Sequence, residues 1–470
     1  MVRSIRLLAA IPAFAALVGC AALRSFRGGD AAFYKAPESP EAWMAAVPAA
    51  GDPSDWIARF GDTSLATLCG EALEANRDLR AAAARVLAAR ERIAEARAAM
   101  LPQLSSAFSS GRAERVGAAR SEPDFALGIE ASWEVDLWRR LREATTAEAE
   151  DYLASEADLA AARQALAASV ARTYFSAAEA ASQSQLASET VASFAEALDV
   201  VEDSFERGVA SALDVRLARA NIEGARAALE RRRREEDSAI RALEVLAGRY
   251  PGKAIEPRKT LPSLTAAVPA GIPSELLGRR PDIRAAERRA RAADRRLGEA
   301  RKLLLPSLRL TGSAGGASAD LGRLLDKEAL VWSIVSGLTQ PILEGGRLRA
   351  NIRRQEALRL AAAEDYAAAA LNAFQEVETA LAAESYLRAQ EAALRRAAEE
   401  STAAAELALD RYSRGLEQII TLLESQRRAF DAQSALISAQ GLRAQNRIDL
   451  YLALGGDPSP LPQGDGRSRP

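Results

Sequence analysis

The chain has 470 residues, a formal net charge of −2, 5% aromatic residues, two cysteines and no histidine. Balanced charge and few aromatics in an alanine-rich chain point to a helical protein, and away from a nucleic-acid binder with a basic face. With no histidine and only Cys20 and Cys69, histidine-based acid/base pairs, Ser-His-Asp triads and His or Cys metal clusters are excluded, so no catalytic, cofactor-binding or metal-binding residue is expected and the chain reads as something other than an enzyme.

Arg3 and Arg6 precede an apolar stretch from Leu7 to Val18, the charged and apolar regions of an export signal. The stretch is too short to span a bilayer, which takes about 20 apolar residues. It ends in Leu17-Val18-Gly19-Cys20, which resembles the lipobox of bacterial lipoproteins. Residues 1–19 are therefore expected to be a signal peptide and residues 20–60 a lipidated N-terminal segment carrying its acyl chains on Cys20. Each buried methylene of such a chain adds about 0.8 kcal/mol of membrane affinity. By the same resemblance, Ala21 in place of Asp after the cysteine favours the outer membrane. Cys69 sits in the apolar pattern Leu65, Leu68, Ala72, Leu73 and reads as a small core residue.

Beyond this point the chain says the same thing twice. Asp78-Leu79-Arg80-Ala81, Glu95-Ala96-Arg97 and Leu101-Pro102-Gln103-Leu104 return 204 positions later as Asp282-Ile283-Arg284-Ala285, Glu299-Ala300-Arg301 and Leu305-Pro306-Ser307-Leu308. Phe205-Glu206-Arg207-Gly208 returns 207 positions later as Tyr412-Ser413-Arg414-Gly415. A repeat this long marks a duplicated folding unit rather than a solenoid. The expected units are residues 61–250 and 279–455, joined by a linker over 251–278 and followed by a Gly/Pro-rich, disordered tail over 456–470.

Within each unit, strands come first. Phe125, Leu127, Ile129, Ala131 and Trp133 alternate with small or polar residues, and Leu330, Trp332, Ile334 and Leu338 repeat that parity. Residues 104–110 and 308–314 alternate more weakly. These lengths suit tilted transmembrane strands of about 9–11 residues. Long proline-free stretches follow, interrupted by Gly208 and Gly415 at the same point in each copy. Glycine just past a basic residue is a helix C-terminus, so each copy reads as a helix of about 65 residues, a tight turn and a returning helix of about 35, the longer reaching roughly 100 Å. Phe194, Leu198, Val201 and Phe205 run into the turn, and Leu213, Leu217, Ala220, Gly224 and Ala227 run out of it, at coiled-coil spacing. The run Arg231 to Arg234, followed by Glu235, Glu236 and Asp237, reads as a solvated helix face, so no nucleic-acid partner is expected. Two copies supply only four strands, whereas bacterial barrels close with at least about eight, so one chain cannot close one alone.

Several stretches resemble the outer membrane factors of the TolC type, in particular the lipoprotein efflux branch often labelled NodT-like. They are Ile272-Pro273-Ser274-Glu275-Leu276-Leu277, then Arg280-Pro281-Asp282-Ile283-Arg284, together with Trp133-Glu134-Val135-Asp136-Leu137-Trp138 and Gly345-Gly346-Arg347. Trp56 with Phe60 and Asp62 belongs to the same set. The resemblance implies a mainly α protein with a small transmembrane β-barrel portion and two internal structural repeats. It implies a homotrimer whose strands form a 12-stranded barrel in outer membrane lipid and whose helices form a long α-helical barrel in the periplasm. It further implies a duct with no chemistry of its own. Its partners would be a periplasmic adaptor protein and an inner-membrane pump, of the RND type, with small molecules or drugs as cargo. Arg207, Gly208, Arg414 and Gly415 would be the adaptor-contacting tips. Asp214, Tyr412 and Glu424 would form the channel gate, a carboxylate ring raising some of its own pKa values. Glu417 stands where some members carry arginine, which argues against an Arg-to-Asp lock and for closure by Tyr412 packing and contacts between protomers. The alternatives are a type I protein secretion outlet or, in another class, a periplasmic coiled-coil adaptor or structural lipoprotein.

Overall fold

A computed structural model describes residues 37–45, 54–113 and 122–457. The signal peptide, Cys20 and nearly all of the C-terminal tail lie outside the described residues.

The elements follow the duplication closely. Helices α1 (Thr63–Ala75) and α2 (Arg77–Ala98) lead into strands β1 (Gln103–Ala113) and β2 (Glu122–Val135), then α3 (Arg140–Glu206) and α4 (Ala212–Leu246). A short helix, α5 (Pro273–Arg279), ends the expected linker. Then α6 (Pro281–Lys302), β3 (Ser307–Ser318), β4 (Leu330–Thr339), α7 (Arg347–Ser413) and α8 (Ile419–Ala453) repeat the sequence of elements. The long helices α3 and α7 have 67 residues each and the returning helices α4 and α8 have 35 each, as the sequence suggested.

The chain forms two compact units, and each takes a share of both repeats. The first comprises residues 84–157 and 283–369 among those described; the second comprises 38–83, 158–282 and 370–457. Among the described residues no helix is long and apolar enough to cross a membrane.

In the first unit the strands form one antiparallel sheet in the order β1-β2-β3-β4. Register explains the alternation. Phe108, Leu127 and Gly316 are cross-strand neighbours, as are Ile129 with Ala314 and Trp332, and Leu308 with Val135 and Leu338. Directly paired residues share a face, so one face is mainly apolar, interrupted by Ser106, Ser110, Ser318 and Ser336. The other carries Ser105, Glu130, Ser132, Glu134, Arg309, Thr311 and Ser313. The apolar face is bare: Leu104, Phe108, Leu127, Ile129, Trp332, Ile334 and Leu338 are all exposed. Gly128 and Gly315 pair across the centre, where a Cβ on Gly315 would come within 2.5 Å of the Gly128 Cα. Only glycine fits at that crossing.

The Trp133-to-Trp138 stretch is the strand-to-helix junction. Trp133 Nε1 donates to the Met100 carbonyl at 2.9 Å and Trp138 Nε1 to the Pro306 carbonyl at 2.7 Å. The Asp136 carboxylate accepts from the Leu141 and Arg142 amides, capping α3. Arg139 is held at φ 61°; its counterpart Gly346, at φ 84°, takes the same left-handed turn without the steric cost a side chain brings.

The second unit is helical, with an aromatic anchor at its heart. Trp56 is 1% exposed, stacks on Tyr451 and meets Phe60 edge-on, while Phe60 packs on Phe175. Asp62 caps α1 through the Ser64 and Leu65 amides, and its second oxygen accepts from the Tyr174 hydroxyl at 2.8 Å. Cys69 is buried, as expected, and burial pushes its thiol pKa up to about 12.

Linker and helices are tied by buried arginines that the sequence reading passed over. Arg447 donates to the Ala266 carbonyl and pairs with Glu384. Arg443 bridges Glu391 at 2.7 Å and Glu384 at 3.4 Å. Burial would raise the Glu391 carboxyl, but Arg443 and Arg395 outweigh it and hold the group below its ordinary value. Arg280 of the Arg280-Pro281-Asp282 motif pairs with Asp282 and Glu376 and donates to the Ala453 carbonyl at the end of α8. Cations at a helix C-terminus are favourably placed. Upstream, Trp43 is 4% exposed and donates to the Ala270 and Gly271 carbonyls, while the Met44 and Ala45 amides donate to Glu378.

In the Arg231-to-Arg234 run, Arg231, Arg233 and Arg234 are exposed as a solvated face should be, while Arg232 is half-buried. Arg231 and Arg232 reach Glu235, and Arg233 reaches Glu230, all one turn away.

Candidate functional site

Both helical turns close in the same way. The Gly208 amide donates to the Phe205 carbonyl and the Val209 amide to the Ser204 carbonyl; Gly415 and Leu416 repeat this with Tyr412 and Arg411. Gly208 at φ 75° and Gly415 at φ 72° are the left-handed residues of two Schellman motifs. Val209 and Leu416 project from the turns, 74% and 62% exposed.

Between the two turns lies a cavity of about 570 Å³, lined in part by Arg207, Asp214, Tyr412, Arg414 and Glu417. The structure thus brings Asp214 and Tyr412 together with three of the four tip residues, Arg207, Arg414 and Gly415. Beneath it Tyr412, 8% exposed, packs with Val201, Val215, Ala218, Ile419 and Leu422. Its hydroxyl is buried and has no hydrogen-bond partner among the described residues. Burial, and then the nearby Asp214 carboxylate, push its pKa above the ordinary tyrosine value. Phe205, the equivalent residue of the first copy, is 47% exposed, so the two copies differ where the candidate gate lies.

Asp214 already has a structural task. Its Oδ2 accepts from the Ser211 amide at 2.8 Å while the Ser211 hydroxyl accepts from the Asp214 amide at 3.3 Å, a capping box that starts α4. Glu424 does not line the tip cavity. It pairs with Arg428 at 2.9 Å and with Arg427, and these guanidiniums, Arg428 foremost, hold its carboxyl below the ordinary value within one chain. That is the opposite direction from the rise expected of a ring of like charges. Glu417 turns back on its own hairpin: the Gln418 amide, the Thr421 hydroxyl and Arg411 at 3.6 Å lower its pKa.

One part of the sequence reading of this region is corrected. The stripe Leu213, Leu217, Ala220, Gly224, Ala227 was expected to pack against the preceding helix. The buried stripe of α4 is instead Val215, Ala218, Ile222 and Leu229, while Leu213, Ala220, Gly224 and Ala227 are exposed and Leu217 is half-buried. A helix with two apolar stripes satisfies the spacing rule twice, and spacing does not say which stripe closes within the chain. The orphaned Tyr412 hydroxyl and the buried arginines were likewise missed; Tyr for Phe at equivalent positions was the one available signal.

The chain matches the family model described as outer membrane efflux protein over residues 68–249 and 272–456. It is 36% identical over 438 residues to the outer membrane protein OprJ of Pseudomonas aeruginosa, covering 90% of this chain and 91% of that one. It is 35% identical over 406 residues to the solvent efflux pump outer membrane protein SrpC of Pseudomonas putida, covering 84% and 86%. Among solved structures it is similar to the outer-membrane channel OprN, with a TM-score of 0.84 and 29% identity over 91% of this chain and 98% of that one.

Proposed function

The chain belongs to the outer membrane efflux protein family, and from that premise we propose that it is the outer membrane duct of a tripartite export system. It is an efflux channel of the outer membrane that extends into the periplasm. The finer reading is that three copies close a 12-stranded barrel, that Cys20 anchors the chain in lipid, and that a periplasmic adaptor and an RND-type inner-membrane pump complete the path. The cargo is small molecules, in keeping with the solvent named for one relative.

The observation that carries the reading is the sheet. Four strands with a bare apolar face cannot stand in water. Among the described residues the outer edges of β1 and β4 also have no strand partner. In a bilayer every backbone group must be paired, which only closure with further strands provides. The apolar face then meets lipid and the face with Glu130, Glu134 and Arg309 meets the lumen.

The Gly208 and Gly415 turns are the adaptor contacts, and Asp214, Tyr412 and Glu424 narrow the channel. Tyr412 closes by packing, and the carboxylates favour cations. A photo-activatable residue at Val209 or at Leu416 should capture a periplasmic adaptor in intact cells. A protein correctly placed in the outer membrane that captures no adaptor from either position would overturn the tip assignment.

A further inference from the structure

A second cavity adjoins the one at the tip, and the duct reading gives it no task. It lies within the second unit, where α3, α7 and α8 meet, has a volume of about 630 Å³ and shares Ser413 with the tip cavity. Drug-sized ligands occupy cavities of roughly 300–1,000 Å³.

Its charge is one-sided. Glu189 and Glu196 line it from α3, Glu406 and Asp410 line it from α7, and no lysine or arginine is among its lining residues. Asp410 is paired with Arg414 at 2.7 Å. Glu196 and Glu406 have no cationic partner among the described residues. The exposed carboxylates of α4 behave differently: Glu223, Glu230 and Glu235 each pair with an arginine of their own helix.

Unpaired carboxylates alone would be ordinary surface groups; Gln426 is not. It is 5% exposed, forms part of the cavity wall, and its buried Oε1 accepts no hydrogen bond among the described residues. Neighbouring polar groups of the wall are engaged: Gln433 Nε2 donates to the Thr402 hydroxyl at 2.7 Å, and the Ser413 hydroxyl donates to the Asp410 carbonyl at 2.8 Å. A buried acceptor left unmet is costly, and here the chain supplies no donor for it. Two rings complete the wall, Phe194 buried on α3 and Phe430 half-buried on α8.

The cavity departs from the internal repeat. Gln426 corresponds to Arg219 of the first copy, which is exposed and pairs with Glu202 at 2.7 Å, and Phe430 corresponds to Glu223. Where the first copy carries its own cation, the second presents an uncharged acceptor, an aromatic ring and carboxylates without a counter-ion.

We propose that this cavity binds an amphiphilic organic cation, a protonated amine on an aromatic body. The amine N–H donates to Gln426 Oε1, Glu196 and Glu406 supply the opposite charge, and Phe194 and Phe430 receive the ring, whose positive charge their faces also favour. All three helices belong to one chain, so the inference stands whether or not three chains assemble. Val200 and Leu409 line the cavity and also pack against the Tyr412 cluster, so an occupant touches side chains that support the candidate gate.

The test is equilibrium dialysis of the full-length protein in nonionic detergent against 9-aminoacridine, a planar amine that is protonated at neutral pH. Its counterpart is 9-anthracenecarboxylate, similar in size and opposite in charge. Wild type should bind the amine saturably, one molecule per chain, and the anion at least tenfold more weakly. Gln426→Leu keeps the volume and removes the acceptor; Glu196→Gln combined with Glu406→Gln changes only exposed positions and leaves the fold intact. Each should weaken amine binding at least fivefold, whereas Glu230→Gln combined with Glu235→Gln, an equal loss of charge elsewhere, should not. Absent or unsaturable binding, equal binding of the anion, or equal affinity in wild type and both cavity variants would overturn the proposal. So would a photo-activatable residue at Glu196 that captures a protein in cells when the purified chain binds no amine, which would assign the cavity to a basic side chain of a partner.

Discussion

Tyr412 offers two substitutions that pull apart packing and hydrogen bonding at the candidate gate. Tyr412→Ala removes an aromatic ring that is 8% exposed and packed on Val201, Val215, Ala218 and Leu422. Such truncations cost about 3–5 kcal/mol. If only about 1.4 kcal/mol of that packing is specific to the narrowed state, the open fraction rises about tenfold. Tyr412→Phe keeps the ring and deletes a buried hydroxyl that has no partner among the described residues. An unsatisfied buried hydroxyl costs about 1–3 kcal/mol, so phenylalanine should leave thermal stability unchanged or raise it. The assay is single-channel conductance in planar bilayers beside thermal unfolding of the detergent-solubilised protein. Alanine should conduct more than wild type and phenylalanine should not. Phenylalanine opening the channel as far as alanine would refute closure by packing and show that the hydroxyl holds the gate. The pH response carries the same information. Because the Tyr412 pKa is raised, its packing is intact below about 10, the ordinary tyrosine value, and is lost as pH rises through the raised one. The alkaline loosening should be absent in the phenylalanine variant.

Asp214 serves as both cap and candidate gate, and asparagine separates the two. Asp214→Asn can still accept from the Ser211 amide, so stability should hold while cation preference falls, whereas Asp214→Ala should also cost about 0.5–2 kcal/mol of cap; equal cation selectivity in wild type and both variants would remove Asp214 from the gate. Glu417 and Glu424 have lowered pKa values, so the contribution of their pairs is present above about 4.3 and lost as pH falls through the depressed values. Melting followed from pH 6 to pH 3 should show that loss diminished in Glu424→Gln. Arg447→Ala should lower unfolding stability by about 3–5 kcal/mol, because it strips Glu384 of a buried partner; a change below about 1 kcal/mol in chemical denaturation would show that Arg443 and water replace it. Gly208→Ala and Gly415→Ala should each cost about 1 kcal/mol, since both sites are left-handed with open space around them, and a neutral result at both would mean the turns rearrange freely.

What the sequence made legible follows from periodicity and duplication. The strand parity of Phe125 to Trp133 and of Leu330 to Leu338 was readable because one face of each strand is apolar apart from Ser336. The helix turns were readable because Gly208 and Gly415 interrupt otherwise continuous helices at equivalent points. The α4 stripe was misplaced for a related reason: a helix with two contact faces shows two periodic stripes. Arg443 and Arg447 did not stand out in a charge-rich chain, and Arg280 stood out only as part of a motif. Their burial depends on partners as distant in sequence as Ala266, Glu376 and Glu384, which no local pattern reveals. At the gate, the sequence brought forward Asp214, Tyr412 and Glu424, but not that Asp214 is engaged in a capping box or Glu424 in pairs with its own helix.

The central claim is that this chain is a conduit that only an assembly of several copies can close. It is tested most directly by purifying the full-length protein, measuring the mass of the protein component of its detergent complex, and recording ion currents from the same preparation in planar bilayers. Three chains per particle with discrete, cation-preferring channels is the expected result. A single-chain particle, or a three-chain particle that never conducts even with Tyr412→Ala, would contradict it.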